Sequence, residues 1–177
     1  MDVSNTHGRR KQDERSVVVA DRLHLHFPDE HPELLDPSVA QHLTALGHSV
    51  LEAHPVRGLI DIVLTDNKEL HRLNSSFRGM DRPTDVLSFS LAEGQPIVTE
   101  HEEPVPSGEI YISVNQAQLQ AEELDVSLPD EVGRLMVHGI LHLAGYNHDT
   151  EETLRFMEHE TQRFLDLHSS CPGGQHI

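Results

Sequence analysis

Basic residues are scarce in this chain. Thirteen lysines and arginines face thirty aspartates and glutamates, for a net charge of −17 at neutral pH. Such a balance opposes a broad, nonspecific grip on any polyanion, so DNA is not an expected partner. A nucleic-acid ligand would have to be met locally by a basic patch, a bound metal ion or a helper protein. Cysteine occurs once, at Cys171, which excludes an internal disulfide framework and a zinc site closed by thiolates. Tryptophan is absent and aromatic residues make up 4%, leaving a core of Leu, Val and Ile. No apolar run approaches the length of a membrane span, and the polar start, Met1 to Arg15, lacks the apolar segment of a secretory signal. The expectation is a soluble, cytoplasmic protein without a membrane partner. The 177 residues correspond to one domain with one sizeable core.

What is present reads as alternating strands and helices. Residues 1–15, with Arg9, Arg10 and Lys11, are expected to form a disordered arm. Residues 16–168 are expected to form a single catalytic domain, and 169–177 a disordered tail. Ser16 to Phe27 predicts one strand, and the three prolines between Phe27 and Pro37 a loop. The spacing of Val39, Leu43, Leu46 and Val50 predicts a helix to about His54. His42, His48 and His54 recur every six residues, off any common helical face, and are read as surface histidines. Gly58 to Thr65 predicts a second strand. Asp66 and Glu69 cap a helix to about Phe77, Arg78 to Thr84 is a loop, and Asp85 to Leu91 a third strand. Residues 92–107 form an acidic excursion. Glu109 to Ser113 is a fourth strand, leading into a helix over Val114 to Leu124. Ser127 and Asp130 cap the next helix, which runs to about Ala144. A last helix spans Thr150 to Leu167, with Leu154, Met157, Thr161, Phe164 and Leu165 on its inner side. The fold class is therefore α/β (α+β): a mixed four-stranded sheet with packed helices.

The stretch Val137 to Thr150 holds three histidines. His138 and His142 are one helical turn apart and project from the same face. Gly145 can end the helix in the left-handed conformation and let His148 return to the same point. Three imidazoles with a fourth position left to water describe a catalytic zinc site rather than a structural one. A chain with fifteen histidines produces this spacing by chance about once in ten, so spacing alone is weak. Its setting among Leu135, Met136, Val137, Ile140, Leu141 and Leu143 adds weight, because uncommitted imidazoles are costly to bury there. One Zn2+ per chain on His138, His142 and His148 is the expectation, with another divalent transition metal as the alternative. The same His-x3-His-x2-Gly-x2-His spacing occurs in metzincin peptidases, whose general base is a glutamate directly after the first histidine. Here that residue is Gly139.

The segment Arg78 to Phe89, reading R-G-M-D-R-P-T-D-V-L-S-F, together with His138 to His148, resembles the YbeY family of bacterial ribosomal RNA endoribonucleases. The likeness runs from about Gly58 to Leu165 and includes Asn74, Gly108, Met157 and Glu160. It implies a metal-dependent hydrolase of single-stranded RNA that matures the 3′ end of 16S ribosomal RNA and helps remove defective ribosomes. Implied partners are ribosomal RNA, the small ribosomal subunit and its proteins. The resemblance also places Arg78 in the active-site cleft as a catalytic residue beside His138, His142 and His148, where its planar charge suits a phosphate. Three positions depart from the family's usual residues: Ser90 stands for proline, Glu109 for aspartate, and Asn147 for the aspartate before the last histidine.

With no carboxylate at position 139, the general base is left open among the substrate, Asp149 and a metal-bound hydroxide. Two other readings stay in play: a zinc metallopeptidase-like hydrolase, and a noncatalytic ribosome-assembly factor with a structural metal. Arg72, Arg78 and Arg82 are the basic residues nearest the cleft in sequence.

Overall fold

The first segment of the sheet is a hairpin rather than a single strand. Leu23, Leu25 and Phe27 alternate inward as expected, but Asp21 takes a left-handed φ of 47° and turns the chain back on itself. Strand β1 (Arg15–Ala20) therefore pairs antiparallel with β2 (Leu23–Pro28), Ala20 opposite Leu23. Asp-Arg carries none of the Asn-Gly or Asp-Gly signal of a two-residue turn, though Asp tolerates the conformation. The expected four strands are thus five. The computed structural model describes residues 15–91 and 106–169. Residues 1–14 of the expected arm, 92–105 of the expected excursion and 170–177 of the expected tail, with Cys171, lie outside the described residues, whereas Arg15 opens β1 and Ser169 caps the last helix.

The sheet runs β1-β2-β3-β5-β4. Strand β3 (Leu59–Thr65) is parallel to β2 and to β5 (Pro106–Ser113), and β4 (Val86–Ser90) closes the far edge antiparallel to β5. β5 begins at Pro106, earlier than expected, because Gly108 pairs with both Ile60 and Ser90. The branched residues of β3 are buried at nearly every position, as a strand with neighbours on both sides and helices over it requires.

Among the described residues there are five α-helices: α1 (Pro37–Ala53) and α2 (Asn67–Arg78) lie between strands, and α3 (Val114–Leu124), α4 (Leu128–Leu143) and α5 (Glu151–His168) follow β5. The caps predicted at Asp66 and Ser127 are present, and the structure adds one at Thr150. Asp66 accepts from the backbone N–H of Glu69, Ser127 from that of Asp130, and Thr150 forms a capping box with Thr153, satisfying donors that the first turn leaves unpaired. Helix α2 includes Arg78 and ends at Gly79, whose φ of 65° suits a residue without a β-carbon. On α5, Met157, Thr161 and Phe164 are buried, but Leu154 faces solvent at 39% exposure.

Helix α4 is the axis of the molecule. Leu135, Met136, Val137, Ile140 and Leu141 are all buried, so the helix is apolar nearly all round, the pattern of a helix enclosed by neighbours. It packs between the sheet and helices α1, α3 and α5. On the other face of the sheet, Leu70, Leu73 and Leu87 form a smaller cluster with Phe89 and Tyr111. Among the described residues, no helix is long and apolar enough to cross a membrane.

Candidate metal centre

The C-terminal end of α4 carries the site. His138 and His142 stand on successive turns, and their Nε2 atoms lie 3.1 Å apart. Just past the helix, Gly145 takes a φ of 96°, and the chain bends so that His148 joins them. One ring nitrogen of each residue lies within 4.8 Å of those of the others. Zinc bonds of about 2.0 to 2.1 Å in a tetrahedral arrangement separate neighbouring nitrogens by about 3.3 Å. The His138–His142 pair already has that spacing, so the donor set fits a metal of this kind. His138 and His142 are half-buried and His148 is exposed, which leaves one side of the cluster open.

Electrostatics hold the rings in the form that ligates. Burial pushes the His138 imidazole down to about 4, with further push from His142, His148 and Arg134. His142 is lowered chiefly by burial and also by the charges of His148 and Arg78, against the opposing effects of the Tyr146 carbonyl and Asp149. Neutral imidazole is the metal-binding form. The tautomer of His142 is set as well. Its Nδ1 lies 3.0 Å from the Tyr146 carbonyl oxygen, which can only accept, so Nδ1 bears the proton and the Nε2 lone pair faces the cluster.

Arg78 reaches the same neighbourhood from α2. Its guanidinium donates to the Ser88 carbonyl at 3.2 Å, and the Ser88 hydroxyl donates to the carbonyl of Gly139 at 3.3 Å. The arginine is exposed and its field reaches His142, so a cation lies beside the imidazoles. Arg72 is engaged elsewhere, forked onto Glu69 at 2.8 and 2.7 Å. Arg82 is exposed, and its carbonyl accepts from Asn74 at 2.8 Å. Of the departures noted in the sequence, Glu109 accepts from the Tyr111 hydroxyl at 3.2 Å. The Asn147 side chain accepts from the Asp149 backbone N–H at 3.5 Å, so it braces the turn that brings in His148.

Sequence reasoning missed the residues behind the site. His54 is not a surface histidine. Its side chain is only 9% exposed and sits between Tyr146 and Glu160, whereas His42 and His48 are half-buried. Nothing in its spacing marks it out, because its partners are 92 and 106 residues away.

Fold and site together define an α/β protein with an open cluster of three histidines that could hold a metal ion. A family model described as Endoribonuclease YbeY matches residues 33–168, and the chain belongs to that family. Similar proteins include the endoribonuclease YbeY of Pelotomaculum thermopropionicum, 38% identical over 133 residues, covering 74% of this chain and 87% of that protein. That of Nautilia profundicola is 44% identical over 112 residues, 63% of this chain and 75% of that one. The solution structure of TM1509 from Thermotoga maritima shares the fold, with a TM-score of 0.53 and 24% identity, over 88% of this chain and 99% of that one.

Proposed function

We propose that this protein is a metal-dependent endoribonuclease that cuts single-stranded RNA, with ribosomal RNA of the small subunit as its substrate and the 3′ end of 16S RNA as the place of action. The observation that carries the reading is the meeting of three ring nitrogens, on His138, His142 and His148, within 4.8 Å beside the exposed guanidinium of Arg78. When bound there, a metal such as zinc supplies a Lewis acid for a phosphoryl oxygen and lowers the pKa of a coordinated water.

The chain's own residues supply the rest. His138 and His142 stay neutral at physiological pH and leave their lone pairs free for the ion. Arg78, partly held by the Ser88 carbonyl, offers its remaining N–H groups to a phosphate as a planar, permanently charged fork. Asp149 lies exposed one residue beyond His148, within electrostatic reach of His142, and is the carboxylate available for proton transfer. Family membership supports an RNA substrate over a peptide, and Gly139, where a metzincin peptidase has its glutamate base, supports the same choice.

A chain with a net charge of −17 needs help to hold a polyanion. We place that help in ribosomal proteins of the small subunit, and the protein in the cytoplasm with them. The test is incubation of the zinc-loaded protein with structured ribosomal RNA, beside His142→Ala and Arg78→Ala. Cleavage at single-stranded sites by the parent alone supports the reading, and equal cleavage by all three sinks it.

A further inference from the structure

We propose that His54 is a positioning residue for the metal centre: it anchors the Tyr146 side chain, and through Tyr146 it sets the orientation of His142 and the path of the loop that presents His148. The inference rests on the metal-site reading above.

His54 caps the C-terminus of α1, where its backbone N–H bonds to the Val50 carbonyl at 2.8 Å. Its ring projects toward the end of α4. Nε2 lies 2.8 Å from a carboxylate oxygen of Glu160 on α5, and Nδ1 lies 3.1 Å from the Tyr146 hydroxyl. Glu160 is itself gripped by Arg163 through two hydrogen bonds of 3.0 and 2.6 Å. Those bonds, with the one from His54, hold its carboxyl down at about 2. An ionised carboxylate only accepts. His54 Nε2 must therefore carry a proton, and in the neutral ring Nδ1 is the acceptor for the Tyr146 hydroxyl. The ring also meets Tyr146 edge-on at 5.2 Å and Phe164 at 5.8 Å.

Tyr146 is held at both ends. Its hydroxyl is tied to His54, while its carbonyl accepts the Nδ1–H of His142 at 3.0 Å and its N–H bonds back to the Leu141 carbonyl at 3.1 Å. Two residues on stands His148. A shift of the tyrosine ring would thus move the acceptor that fixes one ligand's tautomer and the start of the loop carrying another. Partners of this kind, behind a ligand, typically change metal affinity by 10-fold to 100-fold.

The experiment measures Zn2+ affinity of the full chain by competition with a chromophoric chelator, and the visible absorption of the Co2+-loaded protein, which reports ligand geometry. His54→Phe keeps a ring in the packing and removes both nitrogens; it is expected to weaken Zn2+ binding about 10-fold and to change the Co2+ spectrum. Tyr146→Phe, lacking one oxygen atom, is expected to show a similar loss, and the double variant no greater loss than either single one. His54→Gln, whose amide can donate to Glu160 and accept from Tyr146, should recover most of the affinity. Should His54→Phe fail to fold, Tyr146→Phe and His54→Gln carry the comparison. Variants that bind Zn2+ and shape the Co2+ spectrum as the parent does overturn the clamp alone; a parent chain that binds no Zn2+ overturns the centre and the clamp together.

Discussion

A β-carbon built on Gly139 falls 2.7 Å from Cγ2 of Ile110 on β5, closer than packed carbon atoms come. Helix α4 therefore touches the sheet at the residue directly after His138, the first histidine of the cluster. A side chain at that position would have to displace Ile110 and crowd the Ser88 hydroxyl, so packing, beside the missing carboxylate, disfavours a metzincin-like base there. Gly139→Ala is expected to destabilise the protein by about 1 to 3 kcal/mol, the usual range for overpacking. Urea denaturation of the metal-free chain measures it, and an unchanged midpoint would mean that Ile110 simply turns aside.

Purified protein is expected to hold one divalent transition metal per chain, zinc in the first instance. Loss of a ligand in His138→Ala, His142→Ala or His148→Ala should lower the stoichiometry sharply. Elemental analysis after dialysis decides it, and a ratio that is the same in all four proteins would place the metal elsewhere.

Arg78→Ala should leave metal content and the thermal midpoint near parent values, since the side chain is exposed and makes one bond to Ser88. RNA cleavage should fall by about 100-fold or more, the scale seen when a donor to a developing charge is removed. Arg78→Lys should restore only part, because an ammonium lacks the planar fork. Parent-like cleavage by Arg78→Ala would remove the phosphate role.

Acid stability should depend on Glu160. Its carboxyl sits at about 2, lowered first by Arg163 and also by His54, against an ordinary 4.5. A depressed carboxylate stabilises the fold above its unfolded value, and that contribution is lost as pH falls from about 4.5 toward 2. Solvent screening reduces it to the order of 1 kcal/mol. The stability difference between parent and Glu160→Gln should therefore be present at pH 6 and shrink below pH 4.5. A difference independent of pH would mean that the glutamate acts through packing instead.

Arg82 is exposed, whereas Arg72 is forked onto Glu69, so the two should differ in any steering of RNA. Arg82→Glu is expected to weaken binding and reduce the salt slope by about 1, with metal content unchanged. Arg72→Glu should do less. Binding isotherms at several salt concentrations measure both, and curves that overlay the parent throughout would assign RNA delivery to a ribosomal partner.

Local rules decided much of this protein. The caps at Asp66 and Ser127, the helical spacing in α1 and α4, and the turn of four between His138 and His142 all depend on neighbours within one or two turns, so the residues alone specify them. The clustering of His138, His142 and His148 was legible for the same reason, since the glycine after the helix lets the chain return His148 toward the other two. Tertiary structure decided what depends on distant partners. The hairpin at Asp21 and Arg22 has a weak local turn signal, and pairing with β1 and β3 establishes it. The face of α5 was read with Leu154 inside, but packing against α1 and α4 turned it toward solvent. His54 became part of the site because α1 ends beside α5 and the end of α4, and the tightness at Gly139 exists only because β5 lies against that turn. Neither contact has a counterpart in local spacing, because each joins side chains that only the packed sheet and helices bring together.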